Sequence, residues 1–461
     1  MYTNANYTNW GKKDYCRVVT HYADVPAGSI TMAPSPQSVN EGADGKLTYI
    51  QGPGAENDPN YNQTKAAGTT FTIDNIHLFE PYFFGATSKS GFHAYWVDGT
   101  LDTDGDGVLS DAEIAAVTSI NCSYQKITSL QGIEYLTELT DFSLYSNQKL
   151  TSLDLSANTK LQSITISGTH KLQSLDVSGC TELKTLTVQS NTELASLDVS
   201  GLSQLETLTC YQNGNLTSLN ASGCTALANF GLVANITTAN FSNCSSLTSL
   251  NFGQVQALRY LTVDGCTALE TLNCSGTGIS TLDVSTCAAL TTLNCSQTAL
   301  TSLDLTNQAE LQVLDISGNV GISGGFSSIA GNASARRKLT TLNAAGCTGI
   351  TSLDCSYNEL SVLDITGCTG ITSLDCSNNE LSALDITDCT GITNLDCSDN
   401  DLVALDASGL SALDTLRCDG NSLASLTLPA TGTLKSLSVR DNALTTLDIL
   451  GCTGLEQYDC S

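Results

Sequence analysis

The sequence predicts a mainly β protein, a parallel β-solenoid, on three observations. From Leu139 to Leu455 a half-repeat of ten or eleven residues recurs, and two half-repeats make one turn of 21 or 22 residues. Within TSLDCS, Leu353 and Cys355 face one way and Asp354 faces the other. The two halves are nearly equal in length, which leaves no room for an α-helix. We therefore expect about fifteen turns with two strand-like halves each and low curvature.

The inward and corner positions follow from the same alternation. Leu and Cys point inward, and Ser and Asp point outward. Asn recurs where the chain turns a corner, and its amide can satisfy backbone groups of adjacent turns. These corner residues are Asn358, Asn379 and Asn400, with Cys368, Cys389 and Cys452 in the alternate half-repeats.

On these residues the chain resembles the leucine-rich repeat pattern LxxLxLxxN/CxL. The resemblance is to the nested short form of bacterial surface proteins, in which both halves of a 21 to 22 residue repeat are strand-like, and it covers residues 120 to 461. It implies a leucine-rich repeat solenoid that acts at a cell surface.

Composition excludes several partners. The chain has 46 acidic and 18 basic residues, a net charge of -28, which opposes binding to nucleic acid and to anionic lipid. No run of 18 apolar residues exists, so we expect no membrane insertion. The start, MYTNANYTNWGKKDYC, has no apolar signal core. Either the chain is cytosolic or its targeting segment lies outside this sequence.

Three segments are expected. Six of the 7 prolines precede residue 90, among short apolar runs such as GSITMAP, KLTYI and TTFTI, so residues 1–90 are a β-rich module or arm. Residues 91–138 hold a calcium loop and helix that cap the solenoid. Residues 139–461 are the solenoid itself, with an insert at 322–339.

The 19 cysteines follow the period of the repeat. Cys355, Cys376, Cys397 and Cys418 are 21 residues apart. We interpret them as small buried apolar residues that fill one repeat position. Disulfides between turns are the alternative, because neighbouring strands lie about 4.8 Å apart. A metal site is disfavoured, since the few histidines do not accompany the cysteines.

The stretch DTDGDGVLSDAE has the ligand spacing of a calcium loop, with oxygen ligands at alternating positions, a glycine for the turn and a closing carboxylate. The alternative is an acidic turn that caps the helix SDAEIAAV. The predicted Ca²⁺ ligands are Asp102, Asp104, Asp106, the Val108 carbonyl, Ser110 and Glu113.

The surrounding run, from FHAYWVDGT to GIEYLTELT, looks like the segment that precedes leucine-rich repeats in surface proteins of gut and oral Bacteroidetes. There an EF-hand or dockerin-like loop and a helix cap the solenoid. The resemblance implies a structural role for the calcium ligands, and a terminal cap is required because the first turn would otherwise expose its core.

Outward aspartates form two columns. At about 4.8 Å, two like charges repel by roughly 0.9 kcal/mol in water. The aspartates either accept hydrogen bonds from neighbouring Ser and Thr and keep the sheets soluble, or form a cation-dependent adhesive surface for protein or glycan. The columns are Asp354, Asp375 and Asp396 on one sheet and Asp364, Asp385 and Asp406 on the other.

The insert breaks the spacing between Ile322 and Leu339 and carries the basic cluster Arg336, Arg337 and Lys338. Insertions in repeat proteins are often binding loops. The alternative is a tolerated excursion whose cations lie over the aspartate columns.

No catalytic constellation appears, so we do not expect an enzyme. The first hypothesis is a secreted or cell-surface protein for adhesion or macromolecular recognition, with a protein or glycan partner on a host or neighbouring cell and Ca²⁺ as the bound ion. The second is a structural subunit that assembles end to end into a filament. It rests on the final LEQYDCS, which stops inside a half-repeat without a polar cap.

Overall fold

The structure is a computed structural model. It describes the backbone at 29–32, 37–41, 47–51, 69–72 and 232–233, and backbone with side chains at 111–122, 127, 129–130, 132–231, 235–306, 308–319 and 339–460. The chain divides into two compact units. One comprises Met1–Leu183 and Thr187–Leu194, and the other comprises Lys184–Leu186 and Ala195–Ser461.

The first unit contains a four-stranded sheet near its start, with strand order β2-β3-β1-β4. β1 pairs with β3 in parallel and with β4 antiparallel, and β2 pairs with β3 antiparallel. The apolar runs GSITMAP and TTFTI contain β1 and β4, and KLTYI contains all of β3 except Gln51. The strands are β1 Ser29–Met32, β2 Gln37–Glu41, β3 Leu47–Gln51 and β4 Thr69–Thr72.

The rest of the first unit begins with a short α-helix, α1, Asp111–Ala116, and a 3-10 turn at Ile133–Tyr135. Parallel ladders join β5 to β6, β6 to β8, and β7 to β9. The strands are β5 Ser119–Asn121, β6 Asp141–Tyr145, β7 Ser152–Asp154, β8 Ser163–Ser167, β9 Ser174–Asp176 and β10 Thr185–Gln189, the last divided between the units.

The strands of the second unit are mostly three residues long. They are β11 Ser196–Asp198, β12 Thr207–Tyr211, β13 Ser218–Asn220, β14 Asn229–Val233, β15 Thr238–Asn240, β16 Ser249–Asn251, β17 Tyr260–Thr262, β18 Thr271–Asn273, β19 Thr292–Asn294, β20 Ser302–Asp304, β21 Val313–Asp315, β22 Thr341–Asn343, β23 Ser352–Asp354, β24 Leu363–Asp364, β25 Ser373–Asp375, β26 Asn394–Asp396, β27 Ala404–Asp406, β28 Thr415–Arg417, β29 Ser425–Thr427, β30 Ser436–Ser438 and β31 Gln457–Asp459.

Two sets of parallel sheets result. The long sheet has ten strands in the order β16-β18-β19-β21-β23-β25-β26-β28-β30-β31. The opposite halves of the turns form the short sheets, β11-β13-β15-β17, β20-β22-β24 and β27-β29. The short sheets are interrupted at residues 281–283 and 383–385, which are not in strands. The predicted fold class is confirmed, a parallel β-solenoid of about 14 turns with few helices.

The insertion leaves the ladders in register. Ser302 pairs with Thr341, and Val313 pairs with Ser352. The Thr340 hydroxyl donates to the Thr301 carbonyl, 39 positions earlier in the chain. The equivalent bond in the turns that follow, from Thr372 to Thr351, spans 21 positions. The strands before residue 319 and after Leu339 therefore pair in the same register as in the other turns. The predicted insert, including Arg336, Arg337 and Lys338, lies outside the described residues.

The core is filled as the alternation predicts. Leu353 and Cys355 are buried, and the same holds for their counterparts along the long sheet from β16 to β30. Each buried Leu contributes about 1.5–3 kcal/mol relative to an exposed one. Three aromatic rings interrupt the Leu and Cys columns and pack on each other, with centroids 4.7 Å apart for Phe230 and Phe241 and 6.0 Å for Phe241 and Phe252.

Corner side chains satisfy the backbone, as expected. Asn379 Nδ2 donates to the Cys355 and Cys376 carbonyls, both at 3.0 Å, and its Oδ1 accepts from the Leu360 N–H at 3.0 Å. In the other corner the Cys368 Sγ–H donates to the Ala344 carbonyl at 3.1 Å. Thiols thus replace amides as donors between turns.

Candidate binding surface

A column of outward carboxylates crosses the long sheet. Asp315, Asp354, Asp375 and Asp396 are register partners on consecutive strands, and we name them the carboxylate ladder. The next partner of Asp396 is Arg417, whose Nη1 lies 3.7 Å from Asp396 Oδ2. Three of these aspartates were predicted to share one column. The structure places them in one column and adds Asp315 to it.

Each aspartate of this ladder accepts hydrogen bonds from the residue two positions later, which closes the local turn after its strand. The Ser356 backbone N–H and hydroxyl donate to Asp354 Oδ1 at 3.0 and 2.7 Å. The Ser377 N–H donates to Asp375 Oδ1 at 3.0 Å. This is the expected bonding to neighbouring Ser hydroxyls, and it uses only one carboxylate oxygen.

The ladder is less exposed than the sequence predicts. Asp354, Asp375 and Asp396 are all half-buried, because each lies between the side chains of the strands above and below. Burial is the main cause that raises the pKa of Asp375 above its ordinary value, and the carboxylates of Asp354 and Asp396 add to it, whereas hydrogen bonds from Ser377 oppose it.

The second column differs in exposure. Asp364, Asp385 and Asp406, which we name the acidic strip, are exposed. The Thr387 N–H and hydroxyl donate to Asp385 Oδ1 at 3.0 and 2.7 Å. These bonds lower the pKa of Asp385, chiefly through the hydroxyl, so this carboxylate is ionised at neutral pH.

An apolar column beside the acidic strip was missed by the sequence analysis. Val362, Ala383 and Ala404 are all exposed, and Val362 is 67% exposed. Equivalent positions in earlier turns hold Ser or Thr, as at Ser302, with the exception of Tyr260. That change from a small hydroxyl residue to an apolar one was the signal available in the sequence.

The cysteines are free thiols throughout the described residues, so the interpretation as buried filling residues holds and no disulfide joins the turns. Burial raises the pKa of the Cys274 thiol to about 12, and it also raises the pKa of Cys355 well above its ordinary value. Such thiols stay protonated and unreactive at neutral pH. Cys460 is the exposed exception among them.

Most of the predicted calcium loop lies outside the described residues, namely Asp102, Asp104, Asp106, Val108 and Ser110. Glu113 is described, and it lies in α1 with a buried side chain. A carboxylate held inward in the first turn of the helix fits the closing position of a calcium loop.

Metal-binding clusters and membrane-spanning helices are both absent from the described part of the chain. No group of three or more His, Cys, Asp or Glu side chains is arranged to hold a metal ion there. The helices in that part are also too short or too polar to cross a membrane.

No family model matches the chain, and no curated protein matches it in sequence. Solved structures do. A leucine-rich repeat protein of Leptospira interrogans is 18% identical, over 75% of this chain and 90% of that one, with a TM-score of 0.41. YopM from Yersinia enterocolitica is 22% identical, over 75% and 69%, with a TM-score of 0.43.

The functional domain of InlJ from Listeria monocytogenes, described as including a cysteine ladder, is 22% identical. The match covers 78% of this chain and 81% of that one, with a TM-score of 0.31. At these identities the likeness is one of fold alone, and the leucine-rich repeat solenoid described above stands on its own parallel ladders.

Proposed function

We propose that this chain is a non-enzymatic recognition protein, secreted or at a cell surface, that acts in adhesion by binding a macromolecule through the acidic strip. The observation that carries the proposal is the exposure of Asp364, Asp385 and Asp406, one per turn. Their structural hydrogen bonds need one oxygen each, so the second oxygen can meet a partner's donors or cations at about 4.8 Å intervals.

This surface fits a protein partner better than a glycan. The exposed column of Val362, Ala383 and Ala404 runs beside the carboxylates. Protein–protein interfaces typically combine an apolar contact area with charged residues at its edge. A basic protein segment with small apolar side chains on a host or neighbouring cell is therefore the expected partner, and glycans are the alternative.

The test is binding of the purified chain to arrays of extracellular proteins and glycans. The variant Asp364→Asn, Asp385→Asn, Asp406→Asn removes three charges and keeps three Oδ1 acceptors. The matched control changes Asp176, Asp283 and Asp304 to Asn. These three are also exposed and accept from Ser178, Ser285 and Thr306 in the same way, so the control removes equal charge at positions in earlier turns, outside the acidic strip.

The loop from Asp102 to Glu113 supports a further part of the proposal, a structural Ca²⁺ ion at the start of the solenoid. Its support is the ligand spacing and the position of Glu113 in α1. The carboxylates, the Val108 carbonyl and Ser110 would hold the ion, which would supply positive charge to an otherwise repulsive acidic turn.

End-to-end self-association is the second candidate. The observation that favours it is apolar exposure near the last strand of the long sheet, where Leu450 is 89% exposed and Tyr458 is 64% exposed. Light scattering and electron microscopy of the purified chain test it. Filaments that disappear in a Leu450→Ser, Tyr458→Ser variant support assembly, and single particles at all concentrations exclude it.

A further inference from the structure

The carboxylate ladder is set apart by a run of four acidic register partners without a cation between them. Asp315, Asp354, Asp375 and Asp396 follow one another on β21, β23, β25 and β26. Arg417 approaches only Asp396, at one end. In-register parallel strands hold such side chains at the strand spacing of about 4.8 Å, so each inner carboxylate has a like charge on both sides.

The fold does not need these charges. In the preceding turn Asn294 occupies the same column, and its Oδ1 accepts from the Ser296 N–H at 3.0 Å and hydroxyl at 2.7 Å. Asp354 bonds to Ser356 at 3.0 and 2.7 Å. An amide and a carboxylate therefore close the turn equally well, and ionisation of the ladder adds repulsion without adding a bond.

Among the described residues, Arg417 is the cation that approaches the ladder. The flanking outward columns are neutral, and the inward titratable groups next to Asp354, Asp375 and Asp396 are thiols that burial keeps protonated. The corner segments that follow the strands carry further acids, Glu359, Glu380, Asp399 and Asp401, and the sequence from 339 to 416 contains no Lys, Arg or His. The flanking residues are Ser352, Ser373 and Asn394 on one side and Ser356, Ser377 and Ser398 on the other.

We propose that the carboxylate ladder is an acid-responsive element, in which an inner carboxylate takes up a proton as the pH falls below neutral and thereby stabilises the turns that carry it. The acidic strip on the short sheets lacks this property, because its aspartates are exposed and their charge is screened by water. One solenoid thus carries an exposed carboxylate column on the short sheets and a half-buried carboxylate column, on the long sheet, that responds to milder acid.

The direction follows from proton linkage. Burial and two neighbouring carboxylates raise the pKa of Asp375 in the fold, so the folded chain binds a proton more readily than the unfolded chain. Stability therefore rises as the pH falls through the folded pKa of Asp375 towards its unfolded pKa. Asp385 and Asp406 behave oppositely, since their pKa values are lowered by Thr387 and Ser408, and they lose stability in stronger acid.

Urea unfolding of the full chain from neutral pH down to about pH 4.5, just above the ordinary carboxyl pKa, tests this. The urea midpoint of the parent should rise on acidification. Asp375→Asn should start from a higher midpoint at neutral pH and show less of the rise, whereas the control Asp385→Asn should keep it. A parent midpoint that is flat or falls over this range, or a rise that Asp375→Asn leaves intact, overturns the proposal.

A direct titration decides the matter if Asp375→Asn does not fold. Carbon NMR of carboxyl-labelled aspartate in the parent should show Asp375 titrating at a higher pH than Asp385, with signals assigned from single Asp→Asn variants. Asp354→Asn, which removes one neighbouring charge, should move the Asp375 titration to lower pH. An Asp375 signal that titrates with or below Asp385 contradicts the proposal.

Discussion

Asn294 and Asp375 occupy the same column of the long sheet and make the same backbone bond. The Ser296 N–H donates to Asn294 Oδ1 at 3.0 Å, and the Ser377 N–H donates to Asp375 Oδ1 at 3.0 Å. Because an amide performs the structural role, charge and turn geometry can be separated by experiment. Asp→Asn substitutions in these columns change surface charge while they keep the turn, which makes them suited to distinguish binding from stability.

The corner amide is the first test of what holds turns together. Asn379→Ala removes a donor to the Cys355 carbonyl and the acceptor of the Leu360 N–H, both in the preceding turn. Leaving buried backbone groups unpaired should lower the free energy of unfolding by about 2–3 kcal/mol. The control is Asn394→Ala, because Asn394 is exposed and its side-chain amide donates to Thr393 Oγ1. Equal urea midpoints for the two variants would contradict the account.

Close backbone approach at Gly179 gives the second prediction. A Cβ on Gly179 would lie 1.8 Å from the Ser156 carbonyl oxygen, which belongs to the preceding turn and cannot move alone. Gly179→Ala should therefore lose about 2 kcal/mol or more of stability through overpacking. Gly214→Ala, where a Cβ meets nothing within 4 Å, should change stability by less than about 0.5 kcal/mol. Thermal unfolding of the two variants compares them, and a neutral Gly179→Ala would mean that the turns are more loosely stacked.

Thiol reactivity is the third prediction. Burial raises the pKa of Cys376 and Cys397, so neither should form a thiolate at neutral pH, whereas Cys460 is exposed. Alkylation of the native chain followed by peptide mass mapping should label Cys460 quickly and the two buried thiols only after denaturant is added. Rapid native labelling of Cys376 or Cys397, or a disulfide between them, would show that the core opens or cross-links.

The body of the fold could be predicted from sequence because each turn repeats one alternation. The residues equivalent to Leu353 and Cys355 are buried in turn after turn, so the length of the repeat and the identity of its buried positions follow from the local pattern alone. The contrast between Asp375 and Asp385 could not be predicted, since both follow Leu in nearly identical stretches. Their exposure depends on whether the strands above and below are continuous, and the short sheets break at residues 383–385. The sulfur donor role of Cys368 likewise needs the corner geometry.

Calcium dependence is the fourth prediction. If the loop from Asp102 to Glu113 holds Ca²⁺, chelation should lower the thermal midpoint, because ion at a hundredfold excess over its Kd stabilises the fold by about 2.7 kcal/mol. Glu113→Gln should abolish calorimetric calcium binding and the effect of chelation together. Glu182→Gln, an exposed glutamate outside the loop, is the control. If the thermal midpoint of the parent is the same with and without chelator, the loop does not hold a stabilising Ca²⁺ ion.

The binding role of the acidic strip is the central claim, and the affinity of the Asp364→Asn, Asp385→Asn, Asp406→Asn variant tests it most directly. Against a partner identified by the arrays, this variant should bind at least about tenfold more weakly than the parent, which corresponds to about 1.4 kcal/mol. The control variant at Asp176, Asp283 and Asp304 should bind like the parent. Parent-like affinity in the strip variant, or an equal loss in both variants, would contradict binding through the acidic strip.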